Sequence, residues 1–308
     1  MKAQRFDITH TTTYSYRSAV TVAHHLLRLA PRRLPRQFPL EHSIEIHPAP
    51  AATVRHIDYF GNEVIFAAIE GAHRQFRVTA RSRVAVSPAF IPDYTETPPW
   101  ENVRSLCRTD LSEPVLDASE FTFASPLVPL EPAFHSYAAE SFPDGRPILA
   151  AVLDLSARIH REFKFDATAT TVSTPLAKVL EHRRGVCQDF AHLMVGCLRS
   201  LGLPARYVSG YLETLEPPGQ TKLIGADASH AWVAFFCPGL GWIDVDPTNN
   251  LLPSMRHITL GWGRDYGEVS PIRGVLVGGG EHTLTVAVDV AALGEIEVQE
   301  GLSAGNTD

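Results

Sequence analysis

Cys187 lies in the stretch G-V-C-Q-D-F-A-H, residues 185–192, and heads an apolar stripe that continues through Phe190, Ala191, Met194, Val195 and Leu198. That spacing belongs to one face of a helix, bracketed by Gly185 just ahead and Gly202-Leu203-Pro204 just behind. A thiol in the first helical turn faces unpaired backbone N–H groups and the positive end of the helix dipole, both of which favour a thiolate. Free thiols titrate near ~8.5, and helix starts beside an imidazole bring them to roughly 3.5–7.5. The pattern predicts a nucleophile, which needs a base and a group to orient that base. His230 opens the strand-like stretch S-H-A-W-V-A-F-F-C, and Asp244 and Asp246 end G-W-I-D-V-D at residues 241–246. If the two stretches pair as neighbouring strands, a His near the start of one comes opposite an Asp near the end of the other. Alternation puts Asp244 and Asp246 on the same face as Trp242 and does not choose between them. Asp246 is favoured by its place at the strand end and before Pro247, which holds its backbone extended. Cys187, His230 and Asp246 form a workable triad for attack on a carbonyl carbon.

The remaining reactive residues read differently. Cys197 falls mid-helix and is expected in the core, while Cys107 and Cys237 have no partner residues in their segments and read as structural. Asp189 and His192 are three apart on the helix and can meet on one face, either to support the site or to anchor the helix. A zinc set of Cys187, His192 and His230 matches no standard ligand spacing, so neither a metal nor a cofactor is expected. His24 and His25 are strand neighbours on opposite faces and cannot act together. Asp227 reads as a loop cap, and Trp232 and Trp242 as sheet packing, with a wall of the substrate cleft as the alternative for one of them.

The elements that must hold these groups follow from periodicity. The 308 residues suggest two domains, and 44% apolar content is ample for packed cores. Alternation within residues 4–86 predicts five or six short strands in a small β-sandwich, with Gly61-Asn62 forming a tight hairpin turn. Arg28, Arg32, Arg33 and Arg36, interleaved with prolines, read as a solvated loop. Six prolines between Pro88 and Pro126 indicate an extended linker. Helices are expected near Leu130–Ser141, from Pro147 and from Pro175, with Gly185 closing the last. Strands are expected at residues 205–214, 229–237 and 241–246, and a final one near residues 283–290. The fold class is α+β: an N-terminal antiparallel β-sandwich-like domain, then a core in which a helix packs on an antiparallel sheet. The boundaries are residues 1–90 for the β-domain, 91–128 for the linker, 129–290 for the core and 291–308 for a fraying tail.

A mild net charge of −7, spread along the chain, gives no footprint for nucleic acid. There is no signal-peptide pattern at the N-terminus and no apolar run of ~20 residues, so no membrane partner is expected. Four cysteines are too few for a disulfide scaffold and suit a reducing cytoplasm.

G-V-C-Q-D-F-A-H, S-H-A-W-V and G-W-I-D-V-D-P-T together resemble the three signature segments of the transglutaminase-like cysteine peptidase superfamily. H-T-T-T-Y-S-Y, R-L-A-P-R, D-Y-F-G-N and G-R-D-Y-G-E-V-S-P-I-R-G-V extend the resemblance to its bacterial branch, over roughly residues 4–290. The resemblance implies a papain-like core with Cys187 as nucleophile, His230 as general base and Asp246 as orienting acid. It implies attack on an amide carbonyl of a protein or peptide, an acyl-thioester and transfer to water. The alternatives are transfer to an amine, as in a true transglutaminase, or a non-catalytic binding module. One departure is Phe165, where many relatives carry Tyr.

Overall fold

The computed structural model describes residues 2–89, 93–214 and 228–297. Four strands come first: β1 (Lys2–Leu27), β2 (Gln37–His47), β3 (Ala52–Ile57) and β4 (Glu63–Val86). β1 and β4 pair antiparallel along most of their length, from Gln4 opposite Val86 to Leu27 opposite Ile65. β2 flanks one half of β4 and β3 the other. Register shifts between Ser15 and Val20 mark a bulge, where a ribbon bends. Phe76 and Val78 of one half then pack with Leu27, Ile65 and Ile69 of the other. The sandwich-like domain is thus built from two long strands folded on themselves, where alternation alone suggested several short ones. His25 is buried against Phe76, ring centroids 3.9 Å apart, while His24 packs on Phe66, as opposite-face neighbours should.

The turn between β3 and β4 departs from a two-residue hairpin. Gly61 takes φ 76°, but Asn62 stays outside the left-handed region and is buried. Its side chain instead bridges domains, donating to the Trp262 carbonyl at 2.9 Å and accepting from the Trp262 N–H at 3.1 Å. The arginines expected in a solvated loop are drawn into the same junction. Arg28 pairs with Asp58 at 3.2 Å, Arg36 with Asp244 at 3.6 Å, and Arg32 stacks on Trp262 at 3.4 Å while donating to Phe60 and Asn62. Only Arg33 keeps to the exposed role. The local sequence does read as a loop; what it could not show is the second domain lying over it.

The stretch 91–128 is not an extended linker. It carries α1 (Trp100–Thr109) and α2 (Glu113–Ser119), and Trp100 and Val103 enter the main core. Pro99 stands just ahead of α1 and Pro114 in the first turn of α2, where a missing N–H removes no helical bond.

Next come α3 (Pro132–Ala139), α4 (Ile148–Glu162), β5 (Lys164–Phe165), α5 (Leu176–His182), β6 (Arg184–Gly185) and α6 (Cys187–Ser200). Arg183 in the left-handed region (φ 53°), and not Gly185, terminates α5. The core sheet follows with β7 (Ala205–Leu212), β8 (Ala228–Cys237), β9 (Gly241–Val245) and β10 (His257–Gly263), in the antiparallel order β10-β7-β8-β9. One face of β8, with Ala231, Val233 and Phe235, joins α6 in the core; the other, with Trp232 and Ala234, packs with Val208, Trp242 and Trp262. Helix on antiparallel sheet is the expected α+β core.

The last strands of the described residues lie elsewhere than expected. After α7 (Tyr266–Val269), β11 (Ile272–Gly278) and β12 (His282–Glu297) both pair with β1. Residues 272–297 therefore complete the N-terminal sheet, and Val288 and Val290 share a core with Phe6, Ile8 and Tyr211. The alternation at residues 283–290 named the strand; only its register with β1 assigns it to the first domain.

Candidate active site

α6 starts where the apolar stripe starts. Cys187 is its first residue, and Asp189 closes the turn by accepting the Val186 N–H at 2.8 Å and the Thr170 hydroxyl at 2.6 Å. A carboxylate in the first turn takes up one orphan N–H and matches the helix dipole. Gly185 makes room for it, since a Cβ there would lie 2.5 Å from Asp189 Oδ2. Burial, the largest influence, raises the Asp189 pKa against those hydrogen bonds. The other end of α6 closes with Gly202 at φ 79° and the Leu203 N–H on the Leu198 carbonyl at 3.0 Å.

His230, on β8, donates from Nε2 to Asp246 Oδ2 at 2.7 Å. With Nε2 engaged, Nδ1 is the nitrogen left for Cys187, whose nearby sulfur helps to raise the imidazole pKa. Burial opposes a charged imidazole here, but the hydrogen bonds and charges of Asp246 and Cys187 outweigh it and raise the pKa to about 10. An imidazolium beside a sulfur and a carboxylate is the resting arrangement of a cysteine nucleophile with its acid partner.

Asp246 sits just past β9, fully buried, in a turn that bridges back to Leu251. Oδ1 accepts the backbone N–H groups of Thr248 (2.9 Å) and Asn249 (3.1 Å). Oδ2 accepts from His230, from Asn249 Nδ2 at 2.7 Å and from His257 Nε2 at 3.1 Å. Burial would protonate the carboxyl, yet the His230, His257 and Asn249 hydrogen bonds prevail and hold its pKa well below the usual range. Asp244 turns away to Arg36. The register explains the choice: Ala234 pairs with Asp244, so the next same-face position, nearer His230, is that of Asp246.

Cys187, His230 and Asp246 are thus brought together as expected from the sequence. Asn249 and His257 belong to the same cluster and were not singled out. Asn249 follows D-P-T, where a turn residue after an Asx-type turn gave a faint signal; His257 merely opens a strand, and only the pairing of β10 with β7 brings it to Asp246. Burial lowers the His257 pKa, partly offset by Asp246, so this ring is a neutral donor. Its Nδ1 is buried without a hydrogen-bond partner among the described residues.

Asp189 and His192 do not pair. His192 Nε2 accepts the Tyr266 N–H at 3.0 Å, and burial lowers its pKa to about 4. Both anchor α6, Asp189 to the preceding loop and His192 to α7. Cys197 is fully buried, and burial pushes its thiol up; Cys107 and Cys237 are shifted the same way. Phe165 is 56% exposed on β5. Asp227 lies outside the described residues. Cys187, His192 and His230 do not assemble as ligands among the described residues. His230, Asp246 and His257 do bring three ligand-type atoms within 4.8 Å, but both imidazoles already spend their Nε2 on the one carboxylate.

Comparison with known proteins agrees with this architecture. Residues 6–85 match the bacterial transglutaminase-like N-terminal region and residues 136–247 the transglutaminase-like superfamily. Uncharacterized proteins of Mycobacterium tuberculosis and Mycobacterium bovis are 40% identical over 294 residues, covering 93% of this chain and 92% of theirs. A candidate cysteine protease from Cytophaga hutchinsonii shares the fold at TM-score 0.76 and 22% identity, over 97% of this chain and 94% of that one. A protein-glutamine gamma-glutamyltransferase of Pseudomonas aeruginosa is 34% identical over 107 residues, 32% of this chain and 16% of that protein. The chain belongs to the transglutaminase-like superfamily, with the bacterial N-terminal region.

Proposed function

We propose that the protein is a cysteine-dependent amide hydrolase acting on protein or peptide substrates. The observation that carries this reading is His230, hydrogen-bonded to the fully buried Asp246 at 2.7 Å and raised in pKa by Asp246 and by the sulfur of Cys187. The Cys187 thiolate attacks the amide carbonyl carbon, and the helix-start N–H of Cys187 donates to the developing oxyanion. His230, held as an imidazolium, gives its proton to the departing amine, leaving an acyl-thioester. Neutral His230 then takes a proton from water as it attacks, releasing a carboxylate and restoring the thiolate. Asp246 stays ionised throughout and fixes the ring so that Nδ1 faces sulfur. The partial exposure of Cys187 leaves room for water as the acyl acceptor.

Transfer to an amine is the second reading, favoured by the similarity of part of the core to the Pseudomonas transferase. One assay separates the two. A glutamine-containing peptide is incubated with enzyme and a labelled primary amine, and ammonia, new peptide termini and label are followed together. Cleavage or ammonia release without label, absent in Cys187→Ala, is the expected result. Label incorporation would make the protein a transferase. The unpaired cysteines support placing this chemistry in a reducing cytoplasm.

A further inference from the structure

The sheet face that carries Trp232 continues, away from His230, into a cavity of about 710 Å³ between the two domains. Its walls come from Leu34 and Arg36 of the β1–β2 loop, Pro88 and Ala89 after β4, and the Trp242 and Trp262 side chains. The volume lies within the ~300–1,000 Å³ range of pockets for drug-sized ligands, and the lining is mostly apolar. Arg206 lines it too.

Arg206 is an unusual wall residue. Its guanidinium is sandwiched between indoles, 3.6 Å from the Trp262 ring and 4.2 Å from that of Trp242. It is 9% exposed, its Nε has no hydrogen-bond partner, and no carboxylate of the described residues lies within ion-pair distance. The nearest acidic wall residue, Asp244, is already paired with Arg36. Burying a cation without a partner is costly, and proteins seldom leave one so. The indoles lie against the guanidinium but accept no N–H in its plane, and Nε is among the donors left without an acceptor. A planar fork of in-plane N–H donors matches a carboxylate bidentately.

We propose that this interdomain cavity is a binding site for an amphiphilic carboxylic acid. The carboxylate meets the Arg206 fork, and an apolar, preferably planar, body lies against Trp242, Trp262 and Leu34. A single unpartnered guanidinium supplies one positive charge, which suits a monoanion better than a phosphate dianion. The site is separate from the catalytic cluster: Arg206 pairs with Ala234, four residues along β8 from His230, a strand distance of ~13 Å.

Isothermal titration of the full-length protein with 2-naphthoate, 2-naphthalenemethanol and 2-naphthyl phosphate tests this. The acid is expected to bind at one site per chain, about tenfold or more tighter than the alcohol, and no weaker than the phosphate. Arg206→Met should erase the preference for acid over alcohol. Asp244→Asn, which removes a competing anion and frees Arg36, should tighten acid binding by about threefold. Cys187→Ala should bind as the wild type does. Equal binding of acid and alcohol, much tighter binding of the phosphate, or loss of binding in Cys187→Ala would overturn the proposal. Should Arg206→Met fail to show a folded circular dichroism spectrum, the Asp244→Asn arm decides: unchanged or weaker acid binding there overturns it as well.

Discussion

Two buried charges on the core sheet are treated in opposite ways. At one end, the Asp246 carboxylate is fully buried and accepts five hydrogen bonds, two from backbone N–H groups and three from side chains. At the other, the Arg206 guanidinium is nearly as buried, and its Nε meets no acceptor. The first is a closed network: each donor raises the cost of moving the carboxylate, so the imidazole it holds has one orientation. The second is open, stabilised over its faces by indoles but unsatisfied along its edge. A closed network suits a group whose role is to position another, and an open one suits a group that waits for a ligand. Polar satisfaction, more than burial, separates positioning from binding here.

The sharpest way to break the comparison is at Asp246. Asp246→Ala orphans five donors, two of them buried imidazole N–H groups, with an expected loss of about 3–5 kcal/mol in urea-midpoint stability. Asp246→Asn keeps the shape but donates where it should accept; it should fold, yet lose on the order of 10³–10⁴ in kcat on the best peptide substrate. A near-wild-type rate for Asp246→Asn would remove Asp246 from the chemistry. His257→Phe comes next, because it deletes one donor to a charged acceptor while filling the ring's space. About 1.5–3 kcal/mol is expected, read as a ten- to hundredfold fall in kcat/KM, with a larger effect on kcat than on KM. An unchanged kcat would make His257 packing alone.

How much of this was legible in the sequence differs between the two ends. Cys187 announced itself by its place at the head of a helical stripe, and His230 and Asp246 by strand alternation, because helix starts and strand periods are local properties. Alternation did not separate Asp244 from Asp246, and the strand end and Pro247 only favoured the latter; the register that turns Asp246 toward His230 depends on pairing between strands. His257 and Asn249 escaped because nothing near them in sequence signals a carboxylate that arrives by tertiary contact. The Arg206 end was hidden for the same reason. Arg32 and Arg36 sit among prolines that read as solvated loop, and only the docking of one domain on the other turns them into junction residues. The reassignment of β12 teaches the same lesson: its alternation was plain, whereas its partner, β1, lies nearly the whole chain away.

The closed network also sets a pH dependence. His230 is raised by Asp246 and Cys187 to about 10, so its ion-pair contribution is fully present below the ordinary imidazole value and is lost as pH rises through about 10. The stability difference between wild type and His230→Gln should therefore be full below about pH 6.5 and shrink as pH rises from there to about 10. Asp246, lowered, contributes in the opposite sense: its share is present above the ordinary carboxyl value and is lost as pH falls toward its folded one. A difference that instead grew with alkaline pH would contradict the imidazolium assignment. Smaller again is Gly185→Ala, whose new Cβ would displace Asp189 from the head of α6. Loss of the cap costs about 0.5–2 kcal/mol in melting experiments, with an activity loss beyond the stability change if the start of α6 carries the sulfur and its oxyanion donor together.

The smallest expected effect falls at the open end, and its smallness is the point. Arg206→Met removes a buried cation that has no acidic partner, so the variant regains the desolvation that the native guanidinium forfeits. It gives up stacking on two indoles, worth roughly 0.5–2 kcal/mol by itself, and keeps an unbranched apolar chain between the same rings. These contributions oppose each other, and the net change in urea-midpoint stability should lie within about 1 kcal/mol of zero, of either sign. Asp246→Ala, at the fully buried charge beside the same sheet, should cost several times more. A loss at Arg206 as large as that at Asp246 would mean that the guanidinium already holds the domains together, and the contrast between a closed and an open charge would fail.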